Sequence, residues 1–218
     1  RQMCIRDRLE AVTGDAAAEL AMLQKTDAKV EAIAGEDDWV VAELAAAKAD
    51  ILVDALAGTG FHGEPEGDLL RACRLLNDSE KYIVAVDVPT GVNADNGAVS
   101  ENAVRADKTV TMALLKTGLL LYPGREYCGD IELADIGMPA KMVEECASKK
   151  YRLTDDIVRE LLPLRKAYAH KGDAGRAVIC AGSPGFTGAA ALSSYAAVKA
   201  GAGLVALYTP LSSRDVLS

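Results

Sequence analysis

Two aspartates stand where apolar runs of strand length end in this 218-residue chain, and each precedes a turn with further polar groups. Asp54 closes the run ILVD before the glycine-rich segment 58–63, GTGFHG, and Asp87 closes YIVAVD before segment 88–91, VPTG. A carboxylate in an apolar strand is costly to bury unless it is paired, hydrogen-bonded or bound to a cation. Each aspartate is therefore a candidate ligand for a hard cation or a candidate acid or base. The alternative for both is structural: the carboxylate only caps the amides of its turn.

Two glycine-rich segments are candidates for binding an anion. In segment 58–63 the glycines allow backbone N–H groups to approach a phosphate, although a simple glycine turn explains the same residues. Segment 182–190, GSPGFTGAA, follows a strand-like run and opens a helix-like one, and segment 170–173, HKGD, precedes that strand-like run. A turn of this kind at a helix N-terminus favours a polyanionic ligand. It matches neither the Walker A nor the dinucleotide-binding glycine pattern.

Four other charged or titratable features are assigned no chemistry by their sequence context. His62 lies in a loop and is expected to be solvated. Lys116 and Arg105 are expected to be surface charges, and the acidic run 36–38 is expected to be a solvated face. The five cysteines form no CxxC pair, so neither a zinc site nor a disulfide framework is predicted.

Composition narrows the class of protein. Lys plus Arg number 24 and Asp plus Glu 32, a formal net charge of −8, and apolar residues make up 50%. This acidic balance without a basic stripe argues against binding nucleic acid. No apolar run reaches the roughly 18 residues of a membrane span, and no signal peptide opens the chain. The composition predicts a cytoplasmic α/β protein with reduced cysteines.

The elements that must position the two aspartates follow from hydrophobic patterning. Strands are predicted at 51–56, 82–88, 109–114 and 131–136, with Leu69, Leu70, Cys73 and Leu76 on one face of a helix between the first two. Strand, helix and strand in this order predict a right-handed βαβ unit. Residues 9–47 are predicted to be helical with a break at 35–38. Residues 1–8 have no clear place in the amphipathic segment that follows and are either native or an assembly scar.

A second α/β unit is predicted beyond a polar boundary near residue 150. Thr154 is expected to cap a short helix through Leu162. A strand at 177–181, a helix from Thr187 to Ala200 stopped by Gly201, and a strand at 204–209 then complete one more βαβ unit.

Four blocks of the chain, taken together, resemble a known family. They are 49–60 (ADILVDALAGTG), 84–97 (VAVDVPTGVNADNG), 105–139 (RADKTVTMALLKTGLLLYPGREYCGDIELADIGMP) and 169–210. In this order they are similar to the bifunctional NAD(P)H-hydrate repair enzymes. The resemblance implies an α/β, Rossmann-like, three-layer αβα domain with a mostly parallel, incomplete sheet, followed by the first βαβ of a ribokinase-like domain. Residues 1–145 would be the epimerase domain without its N-terminal part, and 151–218 the start of the dehydratase domain.

The resemblance also implies roles for particular residues. Asp87 would be the acid/base that contacts the hydrated nicotinamide, and Asp54 and Thr90 would bind potassium. The residues implied in substrate binding are Gly58, Thr59, Gly60, Phe61, His62, Gly63, Glu64, Asp87 and Ala190. The substrate would be hydrated NADH or NADPH, the dehydratase would use ADP or ATP with magnesium, and the complete protein would be a homo-oligomer.

The chain also departs from the family pattern. Its loop GFHGEPEG lacks the usual arginine, Asn93 replaces a frequent aspartate, and the family's upstream NNGGD and downstream GTGD motifs are absent. We therefore expect these 218 residues to be inactive alone. The alternative function is a non-catalytic Rossmann-like module that binds a nucleotide or a protein, and a nucleotide-dependent kinase is less well supported.

Overall fold

The computed structural model describes residues 2–5, 13–145 and 150–217. The chain divides between residues 147 and 148 into two compact units. The elements of the first unit are β1 (Gln2–Ile5), α1 (Asp15–Leu23), β2 (Lys29–Ala32), α2 (Glu36–Lys48), β3 (Ile51–Asp54), α3 (Gly67–Asp78), β4 (Tyr82–Val86), β5 (Lys108–Met112), β6 (Asp130–Ala134) and α4 (Ala140–Glu145). Those of the second are α5 (Asp155–Leu161), β7 (Arg176–Cys180), α6 (Gly188–Lys199), β8 (Leu204–Tyr208) and α7 (Arg214–Leu217).

A four-stranded parallel sheet, in the order β3-β4-β5-β6, is the centre of the first unit. This confirms the predicted α/β class and all four predicted strands. All four strands end two residues earlier than predicted. In β4 and β5 the early end follows from Asp87 and Ala113, whose φ values of 69° and 61° turn the backbone out of the sheet. In the register Asp54 pairs with Ala85, so the carboxyl ends of β3 and β4 lie at one edge. That edge is where parallel sheets place their ligands.

Helix α3 packs its apolar face on the sheet, as the spacing of its leucines predicts. Leu69, Cys73 and Leu76 are buried in one cluster with Ile83 and Ala85 of β4. Burying each large apolar side chain contributes about 1.5–3 kcal/mol. On the opposite face Ile51 and Val53 of β3 and Tyr82 of β4 are exposed. The contacts of α3 therefore hold β3 and β4 from one side and fix the edge where they end.

The predicted helix over residues 9–47 is wrong in its middle. Residues 29–32 form β2, which pairs in parallel with β1, and residues 9–12 lie outside the described part of the chain. Pairing with another strand overrides local helix propensity here. The predicted break at 35–38 is instead the start of α2, where Asp38 accepts hydrogen bonds from the N–H groups of Ala34 and Gly35 at 2.9 and 3.0 Å. The acidic residues there favour the helix N-terminus.

The second unit contains the predicted strand–helix–strand segment, with β7 and β8 parallel and α6 packed on both. Thr154 caps α5 as predicted, because its Oγ1 accepts a hydrogen bond from the N–H of Ile157 at 3.4 Å. Thr187 precedes α6 but its side chain makes no capping bond, contrary to the prediction. Its backbone is already helical, whereas a capping residue is usually extended. No helix in the described parts of the chain is long and apolar enough to cross a membrane.

Candidate functional site

Asp87 ends β4 in a strained three-residue turn. Its φ is 69°, and the N–H of Val88 donates to the carbonyl oxygen of Val86 at 2.9 Å, the hydrogen bond of a γ-turn. Its own N–H still donates to Val110 of β5 at 2.8 Å. Positive φ is uncommon for a residue other than glycine, and a γ-turn of this hand is rare. Such backbone strain occurs chiefly at functional sites.

The carboxylate of Asp87 is held through one of its two oxygens. Oδ1 accepts hydrogen bonds from Thr111 Oγ1 at 3.1 Å, from the N–H of Met112 at 3.0 Å and from Lys116 Nζ. Among the described residues, none donates a hydrogen bond to Oδ2. Burial alone raises the pKa of Asp87, but the hydrogen bonds from Lys116, Met112 and Thr111 and the charge of Lys116 outweigh it and lower that pKa below its ordinary value. Asp87 is therefore ionised at neutral pH.

Lys116 is the site residue that the sequence prediction missed. Its ammonium forms an ion pair with Asp87 and donates to the carbonyl oxygen of Met112 at 2.8 Å, with 20% of its side chain exposed. The assignment of Lys116 as a surface charge is therefore wrong. The sequence signal that could have identified Lys116 as a site residue is its position just beyond β5, because the carboxyl ends of adjacent parallel strands share one edge. Arg105, the other residue in that assignment, is exposed and stacks on Tyr127 at 4.1 Å from the ring centre.

Asp54, at the end of β3, has a different environment. Its side chain is buried, and it accepts hydrogen bonds from the N–H and the Oγ1 of Thr90, at 2.8 and 2.7 Å, and from the N–H of Leu56 at 3.3 Å. Within the described residues no ion pair reaches it. Burial raises the pKa of Asp54 above its ordinary value, against the opposing effect of these hydrogen bonds. The structure thus brings together Asp54 and Thr90, the two residues predicted to bind a cation.

The predicted substrate loop, residues 58–64, faces the segment that follows Thr90. The loop starts with a turn in which the N–H of Phe61 donates to Gly58 at 3.1 Å, and Gly58, Thr59 and Gly60 are exposed. Ser100 Oγ donates to the carbonyl oxygen of Gly63 at 2.6 Å.

Between the loop and that segment lies an open cleft of about 170 Å³, lined by residues 61–64, 91–93 and 98–100. Glu64 is the charged residue in this lining, and its Oε2 accepts a hydrogen bond from the N–H of Glu101 at 3.0 Å. His62 is exposed as expected, with Nδ1 at 3.2 Å from Nδ2 of Asn93. The lining of the cleft therefore holds the carboxylate of Glu64 and no lysine or arginine.

Gly91 makes the close approach at the base of the cleft possible. Its φ is 92°, and a Cβ there would lie 2.7 Å from the Cβ of Ala103. Only glycine fits this backbone conformation at this separation. The segment can therefore turn directly after Thr90 and return beside the loop.

Ala190, the remaining predicted substrate residue, belongs to the second unit. It is buried in the first turn of α6, and a Cβ at Gly182 would lie 3.2 Å from its own Cβ and 2.9 Å from Oγ1 of Thr209. His170 and Asp173, in the other predicted polar segment, are exposed and contact each other. Within residues 2–5, 13–145 and 150–217, no three His, Cys, Asp or Glu side chains cluster as a metal site.

Comparisons with known proteins identify relatives of this chain. A bifunctional NAD(P)H-hydrate repair enzyme Nnr from Moorella thermoacetica is 40% identical over 211 residues, which cover 97% of this chain and 40% of that protein. The enzyme of the same name from Thermofilum pendens is 41% identical over 160 residues, 73% of this chain and 30% of that protein. The chain thus spans less than half the length of these relatives.

A solved structure and a family profile complete the comparison. The crystal structure of yeast ynu0, YNL200c, superposes with a TM-score of 0.54 at 20% identity and covers 71% of this chain and 63% of the yeast chain, which shows a shared fold. Residues 3–118 match the family described as YjeF-related protein N-terminus. This match includes β3, β4, β5 and both aspartate sites. The chain therefore belongs to the YjeF-related N-terminal family, whose relatives here are NAD(P)H-hydrate repair enzymes.

Proposed function

We propose that the first unit carries the epimerase site of nicotinamide nucleotide repair, which interconverts the R and S hydrates of NADH or NADPH. The observation that carries the proposal is Asp87, whose carboxylate is anchored through Oδ1 at the carboxyl end of β4 and whose Oδ2 accepts no hydrogen bond from the residues that the structure describes. The relatives' shared name, NAD(P)H-hydrate repair enzyme, supplies the substrate class.

The chemistry requires one group that both accepts and returns a proton. To invert the hydrated carbon, a bond to it must break and re-form on the opposite face, with a proton taken from the substrate and given back. Because Asp87 is ionised in the resting site, its first action is to accept the proton, and its acid form then returns it. A positioned group of this kind contributes about 10²–10⁴-fold to the rate.

A potassium ion fits the residues at the end of β3. Asp54 and Thr90 offer carboxylate and hydroxyl oxygens, the donors that hard cations prefer. The buried carboxylate has hydrogen bonds from neutral groups only, so a cation would supply the positive charge that its surroundings lack. We propose that these two residues hold potassium, while residues 58–64 bind the substrate through the backbone and the cleft.

Potassium binding is testable through stability. In potassium buffer the thermal midpoint of the chain should be higher than in sodium buffer of equal ionic strength. T90S keeps the hydroxyl and should keep the difference, whereas T90V should lose it. Equal midpoints for the unmodified chain in the two buffers would count against the site.

The remaining parts of the proposal concern the whole protein. Residues 151–218 would start an ADP- or ATP-dependent, magnesium-requiring dehydratase that acts on the S hydrate, with Ala190 lining its substrate pocket. The complete protein would be cytoplasmic and homo-oligomeric, with residues 1–145 as its epimerase part. The relatives' lengths and the α6 segment support this organisation.

One assay tests the epimerase proposal. The complete protein that carries these residues is incubated with the R hydrate of NADH, and the S hydrate is measured by chromatography against a protein-free sample. We expect conversion by the unmodified protein and by D50A, a change at an exposed aspartate before β3, but none by D87A. Binding of the hydrate with no conversion by the folded protein would favour the alternative, a non-catalytic binding module.

A further inference from the structure

Lys116 and the asymmetric anchoring of Asp87 together suggest a second functional residue. We propose that Lys116 is a positioning residue for proton transfer: it fixes Asp87 through Oδ1 and leaves Oδ2 as the atom that exchanges the proton with the substrate. This inference rests on the proposed epimerase function. It adds which oxygen of Asp87 exchanges the proton and which residue determines that oxygen.

Three donors converge on the same oxygen. Thr111 Oγ1 and the N–H of Met112 come from β5, at 3.1 and 3.0 Å, and Lys116 Nζ comes from the loop that follows. A carboxylate oxygen has about two lone-pair sites, so three donors saturate Oδ1. Oδ2 keeps its own lone pairs for the substrate. The anchoring thus divides the carboxylate into a fixed oxygen and a reactive one.

The backbone after β5 is shaped to bring Lys116 to this position. Ala113 has a φ of 61°, and the N–H of Leu114 donates to the carbonyl oxygen of Met112 at 2.7 Å, so β5 ends in the same kind of γ-turn as β4. The carbonyl oxygen of Met112 also accepts from Lys116 Nζ at 2.8 Å. Lys116 is therefore held by the strand end as well as by the carboxylate. Two strained turns on adjacent strands place the two members of one ion pair.

The charge of Lys116 acts on Asp87 with little competition. The other lysine on these two strands, Lys108, lies at the opposite end of β5 and pairs with Glu132 of β6. With its side chain mostly buried, Lys116 is less screened by water than a surface lysine. It keeps Asp87 ionised and ready to accept a proton, and it favours the return of that proton once the substrate has inverted.

The test compares four forms of the complete protein that carries these residues: unmodified, K116M, K116R and K108M. The first readout is the titration of the Asp87 carboxyl carbon by NMR, which needs no activity. The second is the pH profile of kcat/KM for the R hydrate. In K116M we expect the Asp87 midpoint and the acid limb of the profile to move together to higher pH by about one unit or more, so that kcat/KM falls more on the acid side than near pH 8.

The controls and outcomes separate this inference from the proposed function. K116R should restore most of the profile because it keeps the positive charge, and K108M should leave both readouts unchanged. A K116M profile that keeps the shape of the unmodified one would overturn the role of Lys116, whether or not the NMR midpoint moves. If the unmodified, folded complete protein shows no conversion, the epimerase proposal itself fails. K116Q provides a second neutral variant should K116M not fold.

Discussion

The ends of β3 and β4 place the same residue type at the same edge of one sheet, in opposite electrostatic environments. Asp54 is 1% exposed and bonded to neutral donors, and burial raises its pKa. Asp87 is partly exposed and paired with Lys116, and its pKa is lowered. Two carboxyl groups whose pKa values are shifted in opposite directions by their surroundings are suited to different chemical roles. This difference supports the proposal that the first binds a cation and the second transfers a proton.

The largest expected effect would separate the two aspartates by activity. D87N removes the proton acceptor and should lower the proposed epimerase rate by about 10²–10⁴-fold. The rate is measured from the R hydrate by chromatography. The chain should stay folded, since Asp87 is partly exposed and asparagine tolerates positive φ, although it loses the stabilising ion pair with Lys116. A D87N chain with an unchanged rate would remove the distinction between the two strand ends.

The next largest effect concerns the contribution of Asp54 to the free energy of unfolding. D54A leaves the buried N–H and hydroxyl of Thr90 without their acceptor and should lower the free energy of unfolding by about 3 kcal/mol. Urea denaturation followed by circular dichroism measures the change. D50A, at an exposed position beside it, is the matched control and should differ from the unmodified chain by less than about 0.5 kcal/mol. A similar decrease in the free energy of unfolding for D54A and D50A would mean that the hydrogen bonds of Asp54 are not stabilising.

A smaller effect is the pH dependence of stability, which should have opposite signs at the two sites. The pKa of Asp87 is lower folded than unfolded, so its ionisation stabilises the fold above about pH 4 and this is lost as pH falls through the folded pKa. The pKa of Asp54 is higher folded, so its ionisation opposes folding increasingly as pH rises from about 4 through the folded pKa.

Two variants measure these signs by urea denaturation across that acidic range. In the unmodified chain, protonation of Asp87 at acidic pH lowers the free energy of unfolding. D87N should not show this part of the decrease. The stability of D54N relative to the unmodified chain should rise as pH increases. Parallel curves for D54N and D87N would contradict the assignment of opposite environments.

The smallest effect tests the strain at the strand ends. A113G should relieve the positive φ of Ala113 and stabilise the chain by less than about 1 kcal/mol, because part of the gain is offset by the added freedom of the unfolded glycine. Ala98 is exposed and does not have a positive φ. A98G relieves no strain there and should destabilise the chain by a similar amount, because it only adds freedom to the unfolded state. Thermal unfolding of the two variants gives the comparison, and destabilisation by A113G would show that the turn is not strained.

Local patterning predicted most of the fold. The strands at β3 to β8 and the buried face of α3 follow from apolar runs and from helical spacing, which depend on nearby residues only. Strand β2 was missed because its pairing with β1 is a long-range contact that helix propensity does not reveal. The early ends of β4 and β5 were missed because positive φ at an aspartate and at an alanine has no sequence signature.

The candidate site divides in the same way. Sequence patterning alone places Asp54 and Asp87 at the ends of parallel strands, with Thr90 in the following turn and a glycine-rich loop nearby. The three-dimensional fold is needed to show that Thr90 bonds to Asp54 and that Lys116, 29 residues further along the chain, pairs with Asp87. The pKa of a carboxyl group is set by its burial and by the charges around it, and both depend on which strands the fold makes neighbours.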